Sequence, residues 1–242
     1  MSTWSTKSRR HFLGGAAASG GCLILSACSK NLQDSGKQEG ATVKKGEVEE
    51  EVSPAEDLMR EHGVLKRILL IYREGVRRID SRQDLPADAL PSSANLIRRF
   101  IEDYHERLEE EHLFPRFRKA RSLVELVDIL EAQHKKGRIL TETILQLSTA
   151  AALKNAQDRS KLSDALRLFV RMYEPHEARE DTVLFPAFRK IVSPNEYASL
   201  GDDFEKKEHE LFGEDGFEKN VDEVTGIEKA LGIYELAQFT PA

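Results

Sequence analysis

The stretch YHERLEEEHLFPRFRK, residues 104–119, returns as PHEAREDTVLFPAFRK, residues 175–190, with a histidine, a glutamate four residues on and an LFPxFRK tail all displaced by 71 positions. On a helix of about 3.6 residues per turn, positions i and i+4 share one face. His105 with Glu109, and His176 with Glu180, therefore each offer an imidazole and a carboxylate to the same side. Charged helices produce HxxxE by chance. Two copies with the same downstream tail make a specific signal.

Outward from the repeat, the chain is written in helical periodicity from Ser53, with few strand signals. SPAE places Ser53 as N-cap, Pro54 at the first helical position and Glu56 as the return arm of a capping box, ahead of an apolar stripe Leu58, His62, Leu65, Leu69, Tyr72, Val76, Ile79. A second helix is expected from near Ser93, with Ile97, Ile101, His105, Leu108 and His112 on one face until Pro115 interrupts it. A third opens on a second capping box, SLVE from Ser122 to Glu125, and shows Leu126, Leu130, His134, Thr141 and Ile144. A fourth shows Leu162, Leu166, Phe169, Tyr173, His176 and Glu180 until Pro186, with Pro175 expected to bend it. The fold class is all-α: an up-down-up-down four-helix bundle over residues 53–192. The extension 193–242 adds a helix opened by SPNE at Ser193, and its glycines at 213, 216, 226 and 232 predict short helical pieces after that.

Each of the four stripes carries a histidine at a comparable depth: His62, His105, His134 and His176. At about 1.5 Å per residue, His62 and His134 lie about 13 and 18 Å past their caps, and His105 and His176 about 15 Å before their prolines. Alternating helix directions put these reference points at one end of the bundle, so the four imidazoles reach one level of its core. Glu109 and Glu180 join them there. Two buried carboxylates face to face cost several kcal/mol unless something cationic sits between them. A metal pair meets that need, and imidazole with carboxylate suits iron or manganese better than a structural zinc site rich in cysteine. Among neighbouring residues, Glu106, Glu177 and His209 are expected at the surface. His112 lies on the inward stripe without a repeat partner, and Tyr104 and Tyr173 are placed either to hydrogen-bond the carboxylates or to pack in the core.

With these residues in place, the chain over roughly 53–190 resembles the hemerythrin-like (HHE) family. The resemblance implies a four-helix bundle around a non-haem di-iron centre, with His62, His105, Glu109, His134, His176 and Glu180 as ligands and the two glutamates as bridges. Oxygen-carrying members have a further histidine where this chain has Arg138. The symmetric set of four histidines and two glutamates looks closer to members that sense or handle iron and oxygen. About five ligands per iron leave a position for oxygen, nitric oxide or peroxide.

The chain has 242 residues, 36 basic and 42 acidic. That acidic balance gives no support to a nucleic-acid partner. Residues 1–27 resemble an export signal: SRRHFL from Ser8 to Leu13 is similar to a twin-arginine motif, and LSAC ending at Cys28 is similar to a bacterial lipobox. Cleavage before Cys28 removes Cys22, so Cys28 would remain as the lipid attachment point and no intrachain disulfide could form. Residues 28–52 are polar and suit a solvated tether. The expected protein is exported folded to the bacterial cell envelope and held to a membrane surface by acyl chains. Two functions fit such a centre: a module binding oxygen, nitric oxide or iron, or an oxidoreductase acting on peroxide or oxygen. A lone cysteine offers no built-in iron–sulfur electron donor, which favours the first. A helical interaction protein with a vestigial site is the third alternative.

Overall fold

A computed structural model describes residues 52–241. The export signal, Cys28 and nearly all of the tether lie outside the described residues.

Helix α1 spans Pro54–Ser81, and its capping box has both arms: the Glu56 amide donates to Ser53 Oγ at 3.4 Å and the Ser53 amide to Glu56 Oε2 at 3.0 Å. Helix α2 is one continuous run from Ala89 to Ala120, with π-helical stretches at Ile97–His105 and Glu109–Leu113. Helix α3 spans Val124–Leu147 and α4 is the short Ala150–Lys154. Helix α5 starts at Ala156, turns π-helical over Glu180–Leu184 and ends at Ile191. Helix α6 spans Pro194–Phe212 and α7 Gly216–Leu231, followed by a 3-10 turn at Leu236–Phe239. No strand occurs among the described residues.

Helices α1, α2, α3 and α5 pack around one core in up-down-up-down order, each against its two sequence neighbours and α5 closing back onto α1. Large side chains fill that core, among them Tyr72, Phe100, Phe117, Phe169, Tyr173 and Phe188, all at most 1% exposed. Outside the four, α6 lies over the start of α1, where the Tyr197 hydroxyl reaches Ser53 Oγ at 3.3 Å. Helix α7 runs along α1, tied by Arg67 to Thr225 and Glu228 and by Arg78 to the Leu231 carbonyl.

Four expectations need correction. Helix α2 begins at Ala89, one turn before Ser93. Ser122 does not cap α3, because its amide is bonded to the Phe117 carbonyl at 3.1 Å and so closes the end of α2. Leu123 then takes a left-handed conformation, φ 50°, immediately before α3. Pro115 and Pro186 do not interrupt their helices. A proline lacks an N–H and crowds the carbonyl four residues back, and here a widened turn relieves that crowding: Phe114 N–H reaches the Glu109 carbonyl and Phe185 N–H the Glu180 carbonyl, five residues back in each case. The C-terminal stretch forms one full helix rather than pieces, since Gly232, at φ 68°, caps its end instead of breaking it. Pro175 lies inside α5, which continues through it.

One close approach sets the spacing of α3 and α5. A Cβ added at Gly137 would lie 1.9 Å from the Tyr173 hydroxyl oxygen and 2.8 Å from the ring carbon bearing it. Gly137→Ala is expected to lower unfolding free energy by about 1–3 kcal/mol through overpacking, measured by urea denaturation of the metal-free protein. An unchanged midpoint would show that the helices separate without cost.

Candidate metal centre

The structure brings all six sequence-predicted residues together at one level, each at most 4% exposed. His62 and His105 point their Nε2 atoms at one another across 3.0 Å, and His134 and His176 do so across 3.2 Å. The carboxylates lie between the pairs. Glu180 Oε2 is 3.2 Å from His176 Nε2 and 3.4 Å from His62 Nε2, while Glu109 Oε2 is 3.5 Å from His134 Nε2 and 3.8 Å from His105 Nε2. Each glutamate therefore reaches an imidazole of both pairs.

The other ring nitrogens face outward onto acceptors. His62 Nδ1 meets Asp181 Oδ1 at 2.7 Å, His105 Nδ1 meets Glu61 Oε2 at 2.7 Å, His134 Nδ1 meets Glu110 Oε1 at 3.1 Å, and His176 Nδ1 meets Gln133 Oε1 at 2.9 Å. Such acceptors place the proton on Nδ1 and turn the Nε2 lone pair to the centre, the arrangement that orients metal-bound histidines. None of these four partners was singled out from sequence. The repeat held the signal: each follows a central glutamate (Glu110, Asp181) or precedes a histidine of α1 or α3 (Glu61, Gln133).

The LFPxFRK tails supply the packing. Phe185 stacks on His62 with ring centroids 5.5 Å apart, Phe114 stacks on His134 at 5.5 Å, and Phe117 meets Phe188 at 5.9 Å. Both tail copies thus cover imidazoles and meet each other.

Electrostatics show what the centre lacks. Both oxygens of Glu109 and both of Glu180 are buried without a hydrogen-bond partner. Burial and the facing Glu180 raise the Glu109 pKa well above the usual carboxylate range. Burial also opposes ionisation of Glu180, but His176 and His62 outweigh it and hold that carboxyl well below the range. Burial opposes charging of His62, yet Asp181 and Glu180 push its pKa up to about 9. Protons thus compensate the carboxylates where a cation would.

Other residues fall as follows. Glu106 and Glu177 are not at the surface: the Tyr173 hydroxyl donates to Glu106 at 2.7 Å and Arg138 lies 2.8 Å from it, while Glu177 is buried 4.0 Å from Lys66. Burial pushes the Glu177 carboxyl up to about 7. Tyr104 packs with Phe100 and Phe212, and half-buried His112 stacks edge-on against Phe204. His112 and His209 belong to none of the metal-competent groups among the described residues. Two further groups go beyond the six-residue set: Glu106 and Glu110 with His134, which the set shares, and Asp57, Glu61 and Glu208, wholly outside it.

The family model described as Hemerythrin HHE cation binding domain matches residues 53–148 and 125–239. The chain is 50% identical over 234 residues to uncharacterized proteins of Mycobacterium bovis and Mycobacterium tuberculosis, covering 97% of this chain and 91% of each relative. No solved structure matches it.

The raised pKa of His62 has a sign that can be tested. A folded-state value of about 9 against an ordinary 6.5 stabilises the metal-free fold fully below pH 6.5 and loses that contribution as pH rises through 9. The raised Glu109 acts in the same direction. Metal-free protein is expected to lose about 1–3 kcal/mol between pH 6.5 and 9, measured by urea denaturation with chelator present. Metal-loaded protein should lack this slope, because the cation replaces the protons. Equal slopes with and without metal would contradict the compensation.

Proposed function

Because the chain belongs to the hemerythrin HHE cation-binding family, we propose that it is a lipid-anchored envelope protein whose non-haem di-iron centre binds oxygen, nitric oxide or iron. The observation that carries this is the complete two-layer arrangement: four inward Nε2 atoms, four outward Nδ1 atoms on acceptors, and two carboxylates buried between them without hydrogen-bond partners.

In this reading His62 and His105 would hold one metal and His134 and His176 the other, with Glu109 and Glu180, each within reach of both pairs, as the shared carboxylates. The donors fit. Metal–nitrogen bonds of about 2.1 Å at a right angle separate two cis nitrogens by about 3.0 Å, against about 3.4 Å in a tetrahedral site. The observed 3.0 Å of the His62–His105 pair matches the octahedral spacing that iron accepts, and the 3.2 Å of the His134–His176 pair falls midway between the two. Two irons would supply redox capacity and an open coordination position for a small ligand. The chain's own residues do the rest: Asp181, Glu61, Glu110 and Gln133 fix the imidazole tautomers, and Phe114 and Phe185 keep water from the outer faces of two rings.

One observation favours oxidoreductase chemistry as a second reading. The Tyr173 ring lies 5.3 Å from that of His176, with its hydroxyl bonded to Glu106, so a redox-capable phenol adjoins the centre. The vestigial-site reading fits the complete outer layer poorly, since an idle site has no need of four oriented imidazoles.

Export and anchoring rest on SRRHFL and on LSAC ending at Cys28. Among the described residues no helix is long and apolar enough to cross a membrane, so attachment in this proposal runs through Cys28.

Metal analysis of the purified protein is expected to give about two irons per chain, falling severalfold in Glu109→Ala and Glu180→Ala. Fewer than about one metal per wild-type chain would sink the di-iron assignment. Spectra that return to the reduced form when oxygen is removed support the binding module. Sustained peroxide consumption with an external reductant, lowered in Tyr173→Phe, supports the enzyme instead. For the anchor, Cys28→Ser should move the protein from the membrane fraction to the soluble one; retention at the membrane would rule out acylation there.

A further inference from the structure

The two halves of the centre are related by the repeat, residue for residue. His62 answers to His134, His105 to His176 and Glu109 to Glu180, and outside them Glu110 answers to Asp181, Glu106 to Glu177 and Lys66 to Arg138. At one outer position the chemistry changes. Glu61, which precedes His62 and holds His105 Nδ1 at 2.7 Å, answers to Gln133, which precedes His134 and holds His176 Nδ1 at 2.9 Å. A carboxylate accepting from Nδ1–H pushes electron density into the ring and makes Nε2 a stronger donor, and a neutral amide does so less.

The surroundings add to this difference in the same direction. Behind His105, the Glu61 carboxylate lies in a buried group with Asp57 and Glu208, ligand atoms within 4.8 Å of one another. Behind His134, the Glu110 carboxylate is shared with the Arg138 guanidinium at 2.7 Å, which also lies 2.8 Å from Glu106. The cation answering to Arg138 is Lys66, which stands farther off, 3.6 Å from Asp181, with 53% of its side chain exposed where Arg138 has 22%. Solvent screens the lysine more than the arginine. The His62–His105 half therefore has two carboxylate-backed imidazoles and a weakly held counter-cation. The His134–His176 half has one carboxylate-backed imidazole, one amide-backed imidazole and a close guanidinium.

We infer that the two metal positions fill in order: the His62–His105 half takes the first divalent ion, and the His134–His176 half takes the second more weakly because Gln133 stands where the repeat has Glu61. This rests on the proposed two-metal reading and adds an order to it. Glu61 and Gln133 act here as positioning residues, through the imidazoles they hold.

Anaerobic titration of the metal-free full chain with Co(II), followed by absorption and calorimetry, tests the order. Wild type is expected to bind two ions in resolved steps with affinities about 10- to 100-fold apart. Gln133→Glu should strengthen the second step by about tenfold and leave the first unchanged, drawing the steps together. Glu61→Gln should weaken the first step by about tenfold and leave the second in place. Circular dichroism of each metal-free variant confirms that the bundle is intact, and either variant alone decides the question if the other fails to fold. Two steps of equal affinity in wild type, or a Gln133→Glu change confined to the first step, would overturn the order while keeping two metals. Binding that stops near one equivalent would overturn the two-metal reading, and the order with it.

Discussion

Everything near the level of His62 answers to the burial of Glu109 and Glu180 together, with their oxygens between four imidazoles and out of reach of water. Two carboxylates in that position are costly by several kcal/mol unless positive charge is supplied. The bundle supplies what it can through protons, holding the His62 pKa at about 9 and raising that of Glu109. This remedy is incomplete, since the four carboxylate oxygens still lack hydrogen bonds. A core that pays for two such groups and still leaves them unsatisfied is organised for a cation.

The duplicated phrase is the backbone counterpart of that constraint. Each proline of LFPxFRK removes a helical donor, and the chain responds with a π-turn that begins at the central glutamate itself, Glu109–Leu113 and Glu180–Leu184. A π-turn adds a residue to one helical turn and so re-aims the side chains on either side of it. That lets the glutamate project to the centre while the two phenylalanines after it still meet the core. Phe114 and Phe185 then cover His134 and His62, and Phe117 and Phe188 join the two copies. The proline that looks like a helix stop is thus part of the device that places the central glutamate, and its helix continues for five more residues in each copy.

The central six residues and the bundle were legible because they obey helical periodicity: one residue in three or four, repeated at a fixed offset, fixes which face looks inward. The outer layer was not legible by the same rule. Glu61, Glu110, Gln133 and Asp181 stand next in sequence to central residues, about 100° round the helix, where a stripe argument assigns solvent. They are held instead by neighbouring helices. The burial of Glu106 and Glu177 escapes the stripe rule for the same reason, since each directly follows a central histidine on the flank that packs against an adjacent helix. The false cap at Ser122 shows another limit. SLVE has capping-box chemistry, but the Ser122 amide is already bonded to the end of α2, and a local motif cannot reveal that competition.

Departures from the repeat are informative because the repeat defines what an unmodified half would be. Tyr173 stands where the first copy has Glu102, and Gly137 where it has Leu65. These two changes are a single event in space: the Tyr173 hydroxyl fits against α3 only because residue 137 has no Cβ, and it then bonds Glu106. In the first copy Glu102 is buried 3.0 Å from Arg98, and Leu65 belongs to the apolar core. A phenol and a glycine stand in the second copy where the first has a carboxylate and a leucine, and Gly137 shares its helix with Arg138 and Gln133. The bundle thus keeps a two-fold frame while giving its His62–His105 and His134–His176 halves different electrostatic surroundings.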